Sequence, residues 1–311
     1  MKTLSLNCRG LGNLQAVNEL HSMVKKEGPN IVFLMETRLP VRSLEWLRVR
    51  LGMRACLGVE RNGTGTSGGL ALLWDSTLQI NVQSYSPHHI DAEVVQAGGS
   101  TWRLTGFYGH PQRTMRSHSW NLLRHLHASQ ARPWLVLGDF NEIISLEEKW
   151  GGDDRSFHQM NAFREVLLDC SLQDLGYTGA DFTWTNGRYD GGLVRVQLDR
   201  CVANEEWIQL FPGASNSHLS VASSDHMALS LDTRENIQSV PSTRHRRKLF
   251  RFEKSWLREQ GCEEAIAAAW DIHPIGTAMF RVTQKIKQCR INLLQWSQSL
   301  VKATPRLIDS K

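Results

Sequence analysis

Nowhere does this 311-residue chain approach the roughly 18 consecutive apolar residues that a membrane-spanning helix requires. No membrane association is therefore expected. The first strand signal begins at Lys2 or Thr3, which leaves no room for a cleavable leader, so an intracellular location is expected. Cysteine is sparse and scattered: Cys8, Cys56, Cys170, Cys201, Cys262 and Cys289 include no Cys-x-x-Cys pair. That density argues against a disulfide framework and leaves reduced, mostly buried thiols as the default. No His/Cys grouping has the spacing of a structural zinc. No segment repeats at a fixed period either.

What is present is ordinary in bulk. Apolar residues make up 41% and charged residues 22%, values typical of a globular protein with a substantial core. The mean hydropathy of −0.35 agrees. The net charge is +5, but much of the excess is local, in Arg244-His245-Arg246-Arg247-Lys248. A basic run of this kind is most simply a solvated linker; a nuclear address or a nucleic-acid contact is the sharper reading. Charge permits a polyanionic partner without identifying one.

Short apolar segments separated by turn residues predict strands at Thr3–Asn7, Ile31–Glu36, Leu70–Trp74, Leu78–Tyr85, Ile90–Gln96, Trp102–Tyr108, Trp134–Leu137, Val194–Val202 and Met227–Leu231. Alternation within Ile90–Gln96 predicts one wetter face. Helical periodicity marks 14–26, 116–128, 158–169 and 204–210. Loops are expected at Arg61–Gly69 and at Gly151-Gly152-Asp153-Asp154. Runs of strands with few helices between them favour two packed mixed sheets over a doubly wound parallel one. The expected class is α/β, a four-layer sandwich of two mixed β-sheets flanked by helices, plus a C-terminal helical extension. Residues 1–232 would form the first domain, 233–248 a basic linker and 249–311 the extension. There, Met279, Val282, Ile286, Cys289, Leu293, Trp296 and Leu300 step by three and four. Packing against the neighbouring helix is the favoured use of that stripe; a helical protein partner through 279–300 is the other.

Polar groups recur just beyond the strands. Glu36 follows one, Asp139-Phe140-Asn141 another, and Asp199 and Ser224-Asp225-His226 flank two more. Each alone is more simply a turn former, a helix cap or a solvated charge. Tyr108 alone is more simply an aromatic bracing a turn. Together the residue types suit metal-assisted hydrolysis of a phosphate ester.

The ordered segments LNCRGLGN (6–13), FLMETR (33–38), GFYGHP (106–111), LVLGDFNEI (135–143), DFTWTN (181–186), LDRCVAN (198–204) and SSDHMAL (223–229) resemble the endonuclease/exonuclease/phosphatase superfamily. Within it they look most like the abasic-endonuclease-type domain of plant non-LTR (LINE-type) retrotransposons. The segment 249–270 is similar to the stretch that joins this domain to a reverse transcriptase in that branch. No Tyr/Phe-x-Asp-Asp polymerase motif occurs as far as Lys311. A retrotransposon-derived fragment or a domesticated endonuclease is therefore expected, in the nucleus.

The resemblance implies a DNA substrate, Mg²⁺ (or Mn²⁺) as cofactor, and cleavage that leaves a 3′-hydroxyl nick. It implies Glu36 as the metal ligand, joined by Asp225 directly or through His226. Asp139, helped by Asn141, would orient or deprotonate the attacking water. His226, polarised by Asp199, would bond the scissile phosphate; Asn7 would position a metal or phosphate ligand, and Tyr108 would bond a phosphate oxygen. Magnitudes favour a metal. Slow hydrolyses need barrier lowering of order 20 kcal/mol, whereas a general base supplies about 3–5 kcal/mol; a hard cation helps with the remainder.

Two departures stand out. Position 9 is Arg where many abasic-site repair enzymes carry Asp. Val196-Gln197 precede Leu198-Asp199-Arg200 where the retrotransposon branch often has an Arg-Glu-Arg-like stretch. Arg188, Arg195 and Arg200 are candidates for DNA-backbone contact, and Trp184 for a sugar or base, although surface arginines and a buried tryptophan explain them equally well. Two other functions remain open on these residues: a superfamily phosphatase or phosphodiesterase acting on inositol phosphates or lipids, and a catalytically decayed remnant that binds nucleic acid or a partner.

Overall fold

Continuous apolar runs need cover on both faces, and this requirement sets the layer order. The computed structural model describes residues 1–60, 68–96, 99–129, 132–188, 191–234, 256–257, 259–273, 281–282, 284–286, 288–293 and 296. Along the chain come β1 (Lys2–Asn7), α1 (Leu14–Glu27), β2 (Ile31–Met35), α2 (Val41–Arg50), β3 (Ala55–Val59), β4 (Leu70–Trp74), β5 (Gln79–Ser86), β6 (His89–Val95), β7 (Thr101–Tyr108), α3 (Arg116–Ser129) and β8 (Trp134–Asp139). There follow β9 (Lys149–Trp150), α4 (Phe157–Asp169), β10 (Gln173–Asp174), β11 (Trp184–Thr185), β12 (Arg195–Val196), β13 (Asp199–Ala203), α5 (Glu205–Leu210), β14 (Ser215–Leu219), β15 (Ala228–Asp232) and α6 (Cys262–Trp270).

Two six-stranded mixed sheets result, ordered β14-β15-β1-β2-β4-β3 and β10-β13-β8-β7-β6-β5. Each has one parallel pair, β1 with β2 and β7 with β8, joined by the crossover helices α1 and α3. Their inner faces meet through Phe33, Met35 and Leu72 on one side and Ala92, Trp102, Leu104 and Leu137 on the other. The approach is close at Gly106, where a Cβ would sit 2.4 Å from the Phe33 ring. Outside the first sheet, Val17, Leu20, Leu44 and Leu47 of α1 and α2 cover Leu4, Leu6, Val32 and Leu34. Outside the second, Trp120, Leu123, Phe163 and Val166 of α3 and α4 cover Phe107 and Val136. Helix, sheet, sheet and helix are stacked as expected.

Local signals account for the helix ends. Asn13 caps α1 by accepting from the Gln15 amide, and Gly28 ends it in the left-handed conformation that glycine adopts without strain. Asn204 caps α5.

Some expectations are corrected. The single strand expected over Val194–Val202 is divided into β12 and β13. Gln197 N bonds Glu148 O, while the Leu198 and Asp199 amides both bond Thr183 Oγ1, so the ladder breaks there. β12 joins β9 and β11 in a separate three-stranded sheet. On β6 the wetter face is dry at Asp91, which is 1% exposed and accepts from Arg103 and Thr105. Arg200 is 1% exposed, paired with Glu148 at 2.8 Å and Asp174 at 2.7 Å, with Phe163 beneath its guanidinium. It braces the second sheet and is withdrawn from any DNA contact.

By contact clustering the chain divides into Met1–Arg246 and Arg247–Lys311. Within the second unit, Cys289 and Asn292 reach the Ile266 and Ala265 carbonyls of α6, and Leu293 is buried. Part of the apolar stripe therefore packs on the neighbouring helix, while Val282 and Ile286 stay exposed. Met279, Leu300, the basic run 244–248 and most of the loop at 61–69 lie outside the described residues.

Removing one member of a buried ion network strands its partners' charges. Arg200→Ala is expected to destabilise the protein by about 3–5 kcal/mol. Urea unfolding followed by circular dichroism would show this as a lower midpoint at an unchanged slope.

Candidate active site

The strand registers bring the expected residues to one rim. Parallel pairing places Asn7 beside Met35, so Glu36 emerges at the end of β2 next to the end of β1. In the second sheet Tyr108 pairs with Asp139, and Asp199 pairs antiparallel with the same Asp139. His226 arrives on the turn before β15, where Ser224 Oγ donates to the Asn7 carbonyl at 2.7 Å.

Asn7 bridges the sheets. Its Nδ2 donates to Glu36 Oε1 at 3.2 Å and to Asp139 Oδ2 at 3.1 Å. The Tyr108 hydroxyl donates to the same Glu36 Oε1 at 2.9 Å, and Arg38 donates to Oε2 at 3.2 Å. Asp139 Oδ1 accepts from the Asn141 amide at 2.8 Å, while the Asn141 side chain donates to the Gly109 carbonyl. His226 Nδ1 lies 2.8 Å from Asp199 Oδ2, and its Nε2 lies 3.8 Å from Asp139 Oδ2. Asp225 stands to the side, where its Oδ2 accepts from the Trp184 indole and pairs with Arg9, each at 3.2 Å. All eight expected residues thus belong to one constellation. It opens onto a cavity of about 570 Å³ whose wall includes Glu36, Asp139, Asn141, Trp184, Asp225 and His226.

The backbone is bent to make this possible. Five non-glycine residues among those described have positive φ, and four of them are Arg9, Glu36, Arg38 and Asn141, at 48° to 57°. Such conformations cost of order 1–3 kcal/mol each and persist where their surroundings over-determine them. Gly138 has a different reason: at φ 139° a Cβ would lie 2.1 Å from the Phe107 carbonyl.

Electrostatics divide the titratable groups. Burial pushes the Asp139 carboxyl up, and the neighbouring Asp199 adds to this, raising it to about 7 despite the imidazole nearby. Burial alone would lower His226, but Asp199 and Asp139 outweigh it and hold the ring at about 10. Glu36 moves the other way: burial would raise it, but the bonds from Asn7, Tyr108 and Arg38 keep it below the usual carboxylate range. Burial and the Glu36 charge push the Tyr108 phenol up, so it stays protonated and donates. The site therefore offers an ionised carboxylate, a charged imidazole and a carboxyl group poised near neutrality.

Hard oxygen donors suit a divalent cation with open coordination positions. Glu36 supplies one such carboxylate at the cavity wall. One ligand atom each from Asp139, Asp199 and His226 also cluster within 4.8 Å, although His226 Nδ1 is already committed to Asp199. The donor set thus fits a cation of this kind.

Other site residues were not anticipated. Thr183, fully buried, orients Asp199 by accepting its amide. Arg38 sits in FLMETR, but nothing in that string says that it turns back onto Glu36. Arg113, Lys149 and Arg155 also line the cavity. Their convergence depends on loops that sequence periodicity does not report.

The sequence profile described as the Endonuclease/Exonuclease/phosphatase family matches residues 4–226. No curated protein matches the chain. Among solved structures, the endonuclease domain of TRAS1, a telomere-specific non-LTR retrotransposon, is 14% identical; the match covers 76% of this chain and 99% of that one, with a TM-score of 0.56. The 3′-5′ exonuclease NExo from Neisseria meningitidis is 18% identical over 75% of this chain and 99% of its own, with a TM-score of 0.56. The AP endonuclease LMAP from Leishmania major is 15% identical over 74% and 86%, with a TM-score of 0.59. At these identities the likeness to the three structures is one of fold.

Asp199→Asn should lower the His226 pKa from about 10 toward the ordinary histidine value, because it removes the strongest charge that favours the imidazolium. A proton NMR titration in chelator, with His226→Gln to assign the resonance, reads it directly. A ring that still titrates near 10 in the variant would contradict this account.

Proposed function

The chain belongs to the endonuclease/exonuclease/phosphatase family, and from that premise we propose that it is a divalent-cation-dependent DNA endonuclease. It would hydrolyse one phosphodiester bond and leave a 3′-hydroxyl nick. The observation that carries this reading is the convergence of Glu36, Asp139 and His226, the last held by Asp199, on one cavity wall, with Asn7 tying the two carboxylates together.

Each group has a role suited to its state. Asp139, near neutrality, is matched to take a proton from the attacking water, since a general base works best with a pKa near the working pH. Asn141 fixes that carboxylate through its backbone amide. The charged His226 ring, held by Asp199, would donate from Nε2 to a non-bridging phosphate oxygen as negative charge builds there. Tyr108 and Asn7 hold Glu36 in place, and either would donate to phosphate only by exchanging its present carboxylate bond for it. Glu36 would hold Mg²⁺ or Mn²⁺, joined by Asp225 once Arg9 is drawn off toward phosphate. Bound there, such a cation would supply the charge that neutralises the phosphate and stabilises the departing oxygen. Arg188 and Arg195 are exposed and available to the DNA backbone. The ordered motifs, with the fold shared with the TRAS1 domain, support a retrotransposon origin and a place of action in the nucleus.

Incubation with supercoiled plasmid and Mg²⁺ should produce nicked circles that a DNA polymerase extends without end repair. EDTA should abolish nicking, and Asp139→Asn should slow it by about 10²–10⁴-fold. DNA binding without nicking would instead identify a non-catalytic remnant. Phosphate release from small esters, with DNA left intact, would identify a phosphatase.

A further inference from the structure

The chemistry assigned above leaves part of the cavity wall unused. Arg113, Lys149 and Arg155 line the same cavity as Glu36, Asp139 and His226. Arg155 is the informative member. Its side chain is only 9% exposed, yet its guanidinium makes no aligned hydrogen bond among the described residues, its buried Nε included. That nitrogen lies 3.1 Å from Glu142 Oε1 as an ion pair, out of hydrogen-bond alignment. Glu142 is fully buried and also accepts from Arg116 at 2.5 Å, so one carboxylate serves two guanidiniums. Positive charge accumulates here. Burial first, and then Arg155, depress Lys149; burial, with Arg116 and Arg113, depresses Arg155. Asp153 and Asp154 offset part of this from exposed positions.

Polar groups under cover are nearly always satisfied, so a mostly covered guanidinium on the cavity wall, held by one misaligned carboxylate contact and no hydrogen bond among the described residues, points to a ligand. Its planar fork matches the oxygens of a phosphate. We propose that Arg155, with Arg113 and Lys149, forms a built subsite for a phosphodiester of the DNA strand other than the one attacked. Glu142 is its positioning residue. The identity of the ligand rests on the nuclease reading. Such a subsite would favour a polymeric substrate over a single phosphate ester, because only a chain carries a second phosphate beside the one attacked.

The test needs no cleavage. Binding of the full chain to a labelled DNA duplex is followed by fluorescence anisotropy in EDTA between 50 and 200 mM KCl. Arg155→Gln leaves Glu142 paired with Arg116, and should flatten the slope of log affinity against log salt by about 0.9, the value for one phosphate contact. Arg155→Lys keeps the charge but not the fork; it should retain the slope at reduced affinity. A wild-type slope in a folded Arg155→Gln protein overturns the subsite, and plasmid nicking by the wild type then leaves the nuclease reading intact. The converse result, an Arg155-dependent slope without nicking, keeps the subsite and removes the nuclease. Wild-type protein that binds no DNA at any salt overturns both.

Discussion

One amide, beside the Tyr108–Glu36 and His226–Asp199 bonds that also cross between the sheets, reaches carboxylates of both at the rim where the site lies. Asn7 ends β1 in the first sheet and donates both to Glu36 beside it and to Asp139 across the interface. For one Nδ2 to reach both carboxylates, the sheets must be packed at the right depth and their parallel strand pairs must end together. The large apolar layer between them fixes the depth, and Gly106 lets Phe33 settle against the second sheet. The polar site thus inherits its precision from an apolar interface.

The same economy appears in the charges. Asp139 and Asp199 are both 1% exposed, a costly arrangement unless compensated. The compensation is His226, which lies between them and is held charged by their proximity. Glu36 is stabilised differently, by three donors from Asn7, Tyr108 and Arg38. Two carboxylates a short distance apart therefore have opposed titration behaviour. In the proposed mechanism this difference would separate a ligand for a cation from a base for water.

Much of this was legible in the sequence. Strands with strong apolar runs, such as Ile31–Met35 and Leu70–Trp74, announce themselves because burial on both faces demands them. The motif residues could be gathered into one site only through their resemblance to a family, since no periodicity relates Glu36 to His226. The α2 segment escaped because its buried face is only Leu44 and Leu47 among arginines. The break between β12 and β13 escaped because its cause, Thr183, lies 15 residues before Leu198. Arg200 was misread for a similar reason: whether an arginine faces DNA or a buried Glu148 depends on tertiary contacts alone. The strained backbone at Glu36 and Asn141 left no trace in residue type at Glu36, although asparagine tolerates such angles better than most.

The edge-to-centre order of the first sheet bears on how the molecule comes into being. Its opening strand, β1, lies between β2 and β15, and Lys2 pairs with Asp232. On a ribosome, the earliest strand must wait unpaired on one side until the closing strand emerges, a long-range contact of the kind that folds slowly. His226 comes with that closing strand. A half-made chain consequently carries Glu36 and Asp139 but not His226, and the polar constellation is complete only once most of this unit has been synthesised.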